Sequence, residues 1–141
     1  MIFMTTEKAV AYHWRKFKER YGLVGSHCEK CDSYFYPARV ICPRCRRQGK
    51  ISEYKFTGKG TVFSYTTVRV APEGFERYVP YVMAIVELEE GAKVVSQVVD
   101  CSPDDVRIGM PVEVCFRKIR EDGKSGLVLY GFKFRPAGQL Q

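Results

Sequence analysis

The chain has 141 residues, of which 45% are hydrophobic and 28% are charged, a composition typical of a soluble globular protein. No apolar run approaches the ~20 residues that a membrane-spanning helix requires. The first residues also lack the basic, apolar and small-residue regions of a signal peptide. These features argue against a membrane protein and lead us to expect a cytoplasmic one.

The net charge of +7 is distributed unevenly along the chain. Residues 1–60 carry 13 Lys and Arg against 5 Asp and Glu, whereas residues 61–141 carry 10 against 11. All of the excess positive charge therefore lies in the N-terminal part.

Residues 6–21, within an N-terminal segment 1–25, are predicted to form one amphipathic helix. Thr6 is a suitable N-cap, and Gly22 is a natural stop after the last turn. Apolar side chains recur at steps of four, three and four residues, which places them on one helical face. These residues are Val10, Trp14, Phe17 and Tyr21.

Two C-x-x-C pairs, separated by ten residues, indicate a metal-binding ribbon at residues 26–57. The four cysteines are Cys28, Cys31, Cys42 and Cys45. Two such turns direct four sulfurs at one ion and leave no open position, which is typical of a structural site. We therefore predict one structural zinc ion per chain, although four thiolates suit iron as well. His27 adjoins the first ligand, but the cysteines already complete the shell.

Cys101 and Cys115 lie apart from this cluster, in strand-like sequence. Because the other four cysteines indicate reduced, metal-binding thiols, a secreted disulfide framework is a poorer interpretation of the chain. We expect Cys101 and Cys115 to be inert, buried thiols. A disulfide between them is the alternative.

Residues 58–136 have the pattern of a small β-barrel, followed by a loose tail at 137–141. Five strands are predicted near 60–70, 80–88, 92–100, 111–120 and 126–135, with a turn at Asp122-Gly123. In the first strand, Val62 and Ser64 are expected on one face, opposite Phe63 and Tyr65. Ser102-Pro103-Asp104-Asp105 predicts a short helix between the third and fourth strands. This order outlines an OB-fold, so the predicted class is mainly β.

Catalytic motifs are absent from the sequence. Both histidines precede residue 28, and there is no nucleophile elbow, P-loop or dinucleotide fingerprint. The acidic pairs Glu89-Glu90 and Asp104-Asp105 are suited to turns and caps without any acid–base role. The sequence thus favours a protein that is not an enzyme.

The basic ribbon is compatible with several ligands. Its arginines could bind nucleic-acid phosphates, with Tyr34, Phe35 and Tyr36 stacking on bases. They could instead bind the phosphates of coenzyme A, contact an acidic partner, or simply form a solvated surface. The barrel half lacks excess positive charge, which disfavours nucleic acid, although Arg69, Arg77, Lys133 and Arg135 could share one face.

The order of motifs along residues 7–136 resembles a known family in which a rubredoxin-like zinc ribbon precedes an OB-fold. The family was first catalogued as a domain of unknown function. The motifs are Cys28-x-x-Cys31, Phe35-Tyr36-Pro37-Ala38-Arg39, Cys42-Pro43-x-Cys45, Gly58-x-Gly60-x-Val62-x-Ser64-Tyr65, the run Pro80 to Leu88 and the run Val106 to Val114. The chain departs from the family pattern at residues 35–39, which read Phe-Tyr-Pro-Ala-Arg where consecutive prolines or Phe-Pro would be expected.

The resemblance implies a non-catalytic accessory protein that binds acyl-CoA or CoA beside a thiolase, an HMG-CoA-synthase-type enzyme or a related aldolase. The partner would supply the catalytic residues. Only the four ribbon cysteines carry over residue by residue. The candidate ligand contacts are Arg39 first, then Tyr36, Arg69, Arg77, Lys133 and Arg135. The alternatives are a protein that binds single-stranded nucleic acid and a scaffold that binds neither ligand.

Overall fold

A computed structural model describes residues 10–121 and 126–138, which form two short helices, a three-stranded sheet and a closed five-stranded barrel. The elements are α1 (Val10–Arg15), α2 (Phe17–Gly22), β1 (Val24–Cys28), β2 (Ser33–Phe35), β3 (Ile51–Lys55), β4 (Lys59–Val68), β5 (Tyr81–Leu88), β6 (Lys93–Val98), β7 (Pro111–Glu121) and β8 (Val128–Pro136). The predicted cap at Thr6, the turn at Asp122-Gly123 and residues 139–141 of the tail lie outside the described residues.

The N-terminal helix is broken, so the prediction of one continuous helix was wrong. At Lys16 the backbone leaves the helical conformation (φ −99°, ψ 4°), and its N–H donates to the carbonyl of His13 three residues back. One contact between the two short helices spans the break. His13 is buried and lies 3.1 Å from Arg20 Nη1, which ties α1 to α2.

The three-stranded sheet of the ribbon has the order β2-β1-β3, and both pairings are antiparallel. Cys28, the last residue of β1, is paired with Ser33 of β2 and with Ile51 of β3. The central strand therefore delivers the first metal ligand at the end of a sheet that is hydrogen-bonded on both sides.

The barrel has the strand order β4-β5-β6-β8-β7, which confirms the predicted mainly β class and the OB-fold. Along β5 the even-numbered residues from Val82 to Leu88 are buried and the odd-numbered ones are half-buried, as the pleat requires. The core is built from such alternating apolar positions, with Phe134 of β8 fully buried at its centre. The short helix predicted after Ser102 is present as a 3-10 helix, Pro103–Asp105.

The alternation expected in β4 fails at one place. The pairing with β5 shifts register between Val62 and Ser64, which is the signature of a β-bulge. Val62 is buried, but Ser64 is exposed together with Phe63 and Tyr65. The predicted common face of Val62 and Ser64 is therefore wrong, because the bulge shifts the alternation by one residue and Ser64 pairs with the half-buried Ile85.

Aromatic side chains join the ribbon to the barrel. Phe56 is only 4% exposed and packs edge-on against Tyr54 and Tyr36, with centroid distances of 5.3 and 6.4 Å. Its N–H donates to the carbonyl of Leu23, a buried residue that ends α2 in the left-handed conformation (φ 50°). Gly25 lies against Phe56 so closely that an added Cβ would sit 2.7 Å from its ring.

The described helices are all short. None of them is long and apolar enough to cross a lipid bilayer.

Candidate metal centre and ligand sites

Four cysteine sulfurs meet at the end of the ribbon sheet, all within 4.8 Å of one another. Cys28 and Cys42 are fully buried, whereas Cys31 and Cys45 are partly exposed. The Sγ atoms of Cys31 and Cys42 lie 3.5 Å apart. Four thiolates at this spacing fit the tetrahedral shell of one metal ion and leave no position for a substrate.

The two C-x-x-C turns are followed by the same backbone conformation. The residue after each second cysteine, Asp32 or Arg46, has a left-handed conformation, with φ of 51° and 50°. In the second knuckle the N–H of Cys45 points at Cys42 Sγ (3.4 Å), so the backbone donates toward the sulfur. Gly49 completes the packing, because an added Cβ would lie 2.9 Å from Cys42 Cβ. The spacing of the cysteines predicted the cluster but not this glycine.

The pKa values of two cysteines in the cluster, Cys31 and Cys45, are shifted in opposite directions. A hydrogen bond with the Ser33 hydroxyl, 3.3 Å from Cys31 Sγ, lowers the pKa of Cys31 to about 6. Burial, together with hydrogen bonds to the other three sulfurs, raises the pKa of Cys45 to about 12. Thiolates crowded in this way repel one another, and a bound divalent cation removes that penalty.

The His27 side chain contacts Asp32 and Tyr34 and is not part of the metal cluster. Its Nε2 lies 2.7 Å from Asp32 Oδ1, and its ring stacks on Tyr34 at a centroid distance of 4.4 Å. Within the described residues the metal-binding group consists of the four cysteines.

A groove of about 400 Å³ lies between the helices and the ribbon, and we call it the ribbon groove. Its charged side chains come from both modules: Arg15, Lys18 and Glu19 from the helices, and Arg39 and Glu53 from the ribbon. The backbone N–H of Arg39 donates to Ser26 Oγ (2.8 Å), which fixes the loop, while its guanidinium lies 5.6 Å from the Phe35 ring. The sequence singled out Arg39 but did not place the two helical cations beside it.

The charges of the ribbon groove are only partly paired. Lys18 forms an ion pair with Glu53 (3.2 Å), and Glu19 forms one with Lys16 (3.0 Å). Neither Arg15 nor Arg39 has a carboxylate within 4.0 Å in residues 10–121 and 126–138. Within the described part of the chain, the guanidinium groups of Arg15 and Arg39 therefore have no carboxylate partner and could bind an anionic ligand.

Tyr36 lies where α2, the ribbon and the barrel meet. Its hydroxyl donates to the carbonyl of Glu19 (3.3 Å), and its ring packs on Phe56 and on Phe132 of β8. Burial raises the pKa of Tyr36 to about 12. These contacts give the side chain a structural role in addition to its candidacy as a ligand contact.

The four candidates from the barrel have different environments. Arg69 and Arg77 are exposed in the connection between β4 and β5, and Arg135 pairs with Glu113 (2.8 Å). Lys133 is 6% exposed and lines a second cavity that does not include Arg39. The structure therefore separates Arg39 from Lys133 rather than bringing the six candidates into one site.

Cys101 and Cys115 are free thiols, so the alternative of a mutual disulfide does not hold in this structure. Burial raises the pKa of both, and the carboxylates of Asp105 and Asp100 add to the effect at Cys101. Raised pKa values make both thiols poor nucleophiles, as the sequence suggested.

Two family models match the chain in the order that the fold shows. Residues 15–50 match the rubredoxin-like zinc ribbon domain of ChsH2, and residues 53–117 match the C-terminal OB-fold domain of ChsH2.

Relatives with curated names cover nearly the whole chain. A "DUF35 domain-containing scaffold protein" of Methanocaldococcus jannaschii is 51% identical over 95% of this chain and 95% of its own length. A protein of the same name from Methanothermobacter thermautotrophicus is 54% identical, with coverages of 87% and 92%. A solved chain described as "Ltp2-ChsH2(DUF35) aldolase" superposes with a TM-score of 0.66 at 32% identity, covering 94% of this chain and 98% of its own. The chain therefore belongs to the DUF35 family, in which a ChsH2-type zinc ribbon precedes an OB-fold.

Proposed function

We propose that this protein is a non-catalytic accessory subunit that binds acyl-CoA and docks on an enzyme of the thiolase superfamily. The observation that carries the proposal is the ribbon groove, with two guanidinium groups that lack carboxylate partners among the described residues. The names of the relatives support an accessory role, since two are called scaffold proteins and a solved relative is described together with an aldolase.

The metal in this proposal is zinc, held by Cys28, Cys31, Cys42 and Cys45. Zinc has no geometric preference of its own and accepts a tetrahedral set of four thiolates at ~2.3 Å. A shell closed by four protein ligands offers no place for an activated water or a substrate. The ion would hold the ribbon together and thereby shape the groove beside it.

The phosphates of CoA are the groups that the ribbon groove suits best. Arg15 and Arg39 approach it from two modules, and guanidinium groups bind phosphate oxygens in a planar, bidentate manner. Exposed apolar side chains follow directly: Val40 is 91% exposed and Ile41 is 61% exposed. In our proposal these residues contact the pantetheine arm, and the partner enzyme covers the remainder of the ligand.

A connected row of exposed rings offers a surface for that enzyme. Phe17 stacks on Tyr21 (4.5 Å), Tyr21 meets Phe116 edge-on (5.1 Å), and Phe116 stacks on Tyr130 (5.6 Å). Each ring of this aromatic row is 38–51% exposed. Large aromatic side chains are enriched at the centres of protein interfaces, where they supply most of the binding energy.

The first test is binding of CoA by the purified chain. We expect weak, saturable binding in calorimetric titration, strengthened when the partner enzyme is present because the ligand lies between them. Arg39→Ala should weaken binding about tenfold, the loss expected for one charge-assisted contact to phosphate. Arg47→Ala is the matched control, because Arg47 is exposed on the same ribbon but does not line the groove.

Two outcomes would contradict this assignment. Equal losses in Arg39→Ala and Arg47→Ala would mean that general positive charge, not the groove, attracts CoA. Tight binding of a mixed-sequence single strand that falls steeply with salt, with no CoA signal even beside the partner, would favour nucleic acid instead.

The second test concerns docking. Phe116→Ser should weaken association with the thiolase-superfamily enzyme of the same organism by about thirtyfold, the effect of losing an interface hot spot. Phe116 is 51% exposed, so we expect the variant to fold normally. Co-purification and size-exclusion chromatography of the mixed proteins measure the association.

The matched control for docking is Phe63→Ser, since Phe63 is 47% exposed on β4 and lies outside the aromatic row. Association lost in Phe63→Ser and kept in Phe116→Ser would move the docking surface from the aromatic row to the surface around Phe63. Turnover of an acyl-CoA by the pure chain would contradict the non-catalytic role.

A further inference from the structure

Lys133 is a buried cation that has no anionic partner among the residues that the structure describes. The residue is 6% exposed on β8, between the core residues Phe132 and Phe134, so its side chain lies on the outer side of the barrel wall. No carboxylate lies within ion-pairing distance of its amine in residues 10–121 and 126–138. The nearest aromatic contact is Tyr78, whose ring centroid is 5.7 Å from Nζ.

The connection between β4 and β5 helps to cover this lysine. A 3-10 helix at Glu76–Tyr78 places Tyr78 over the outer face of the barrel, and Tyr81 begins β5 beside it. Alternation along β8 places Lys133 on the outer face, where Tyr78 and residues 99–103 after β6 line the cavity around it. Burial accordingly lowers the pKa of Lys133.

The charges around Lys133 do not neutralise it. Asp100 lines the same cavity, but its Oδ2 is 2.8 Å from Arg117 Nη2, so this carboxylate already has a cationic partner. Cys115, opposite Lys133 in the pairing of β7 with β8, is a thiol whose pKa is raised. A desolvated ammonium group of this kind is costly unless an anion joins it.

The cavity that Lys133 lines has a volume of about 210 Å³. This is smaller than the roughly 300–1,000 Å³ of pockets for drug-sized ligands. Its walls are mostly apolar, from Pro80, Val99 and Pro103, and Gln97 adds an amide group. We propose that this cavity is a binding site for a small organic carboxylate, with the carboxylate on the Lys133 amine and a short apolar chain against Val99 and the two prolines.

This site is separate from the ribbon groove and does not depend on the proposed function. The two cavities share no lining residue. A carboxylate could come from a free acid, and the same amine could accept a phosphate group, so the test includes both sources of negative charge.

The test is a two-dimensional NMR titration of the ¹⁵N-labelled chain with butyrate, and separately with inorganic phosphate, CoA and neutral butanol. We expect saturable shifts with butyrate in the millimolar range, centred on the amides of residues 97–101 and 133. Lys133→Met should weaken butyrate binding by about tenfold or more, because one charged hydrogen-bonding partner is lost. Lys55→Met removes the same charge from an exposed position on β3 and should change nothing.

A second measurement separates binding from folding. Because Lys133 has no anionic partner among the described residues, Lys133→Met should melt no lower than Lys55→Met. A lower melting temperature would mean that the amine serves the fold, and it would overturn the proposal; Lys133→Gln repeats the titration if the methionine variant does not fold.

Other outcomes also contradict the proposal. Butyrate shifts that survive in Lys133→Met, equal binding of butanol, or no binding of butyrate would each do so. Saturable binding of inorganic phosphate or CoA at these same amides, with no binding of butyrate, would mean that the site accepts a phosphate group and not a carboxylate.

Discussion

Cys42→Ser is expected to release the metal ion and unfold the ribbon while the barrel remains folded. Cys42 is fully buried, its sulfur lies 3.5 Å from that of Cys31, and it accepts the N–H of Cys45, so serine removes a ligand at the centre of the cluster. Metal binding contributes on the order of 10 kcal/mol to the folding of small zinc domains, and most of that contribution should be lost. Elemental analysis measures the metal, and limited proteolysis across residues 26–50 measures the ribbon.

Cys115→Ser is the control, because it makes the same chemical change at another buried cysteine in the barrel. We expect it to keep one metal ion per chain and a protease-resistant ribbon. A Cys42→Ser protein with full metal content, or with a ribbon as resistant as before, would contradict the metal site. Iron instead of zinc in the wild-type protein would keep the site but change its metal.

Phe56→Ala is expected to lower the free energy of unfolding by about 3–5 kcal/mol, the usual cost of truncating a buried phenylalanine. The side chain is 4% exposed, contacts Tyr36 of the ribbon and belongs to the same buried cluster as Val112 of the barrel, so the resulting cavity opens between the ribbon and the barrel core. The same variant should bind CoA more weakly, because the ribbon groove depends on how the ribbon is held. Urea denaturation measures the stability, and calorimetry measures the binding.

Phe63→Ala is the matched substitution at an exposed ring, where the contact with the Lys93 amine, 3.5 Å from the ring centroid, is lost. We expect a loss of at most about 1 kcal/mol. If Phe56→Ala costs no more than Phe63→Ala, the aromatic contacts do not join the two modules as described.

The sequence was sufficient for features that depend on local pattern. The strand near 80–88 was predicted as one of five strand-like segments bounded by turn signals, and the structure has β5 at Tyr81–Leu88. The metal ligands were predicted because two C-x-x-C turns are sufficient to direct four sulfurs at one ion. The order of five strands and one short helix predicted the OB-fold, which the closed barrel confirms.

Features that depend on contacts distant in sequence could not be predicted. Lys133 is buried although its alternation along β8 predicts the outer face, because Tyr78 and residues 99–103 lie around it. The apolar periodicity through Trp14 and Phe17 also suggested one helix, yet α1 ends at Arg15, α2 begins at Phe17, and Trp14 is 71% exposed.

The strand order of the barrel has a consequence for how the chain folds during synthesis. β8 lies between β6 and β7, and it carries the fully buried Phe134, so the barrel cannot close until residues 128–136 have left the ribosome. Until then β6 and β7 each present an unpaired edge, a form prone to pairing with other chains. The ribbon, in contrast, pairs residues 24–28 with residues 33–35 on one side and with residues 51–55 on the other. It can fold and take up its metal while most of the barrel is still being translated.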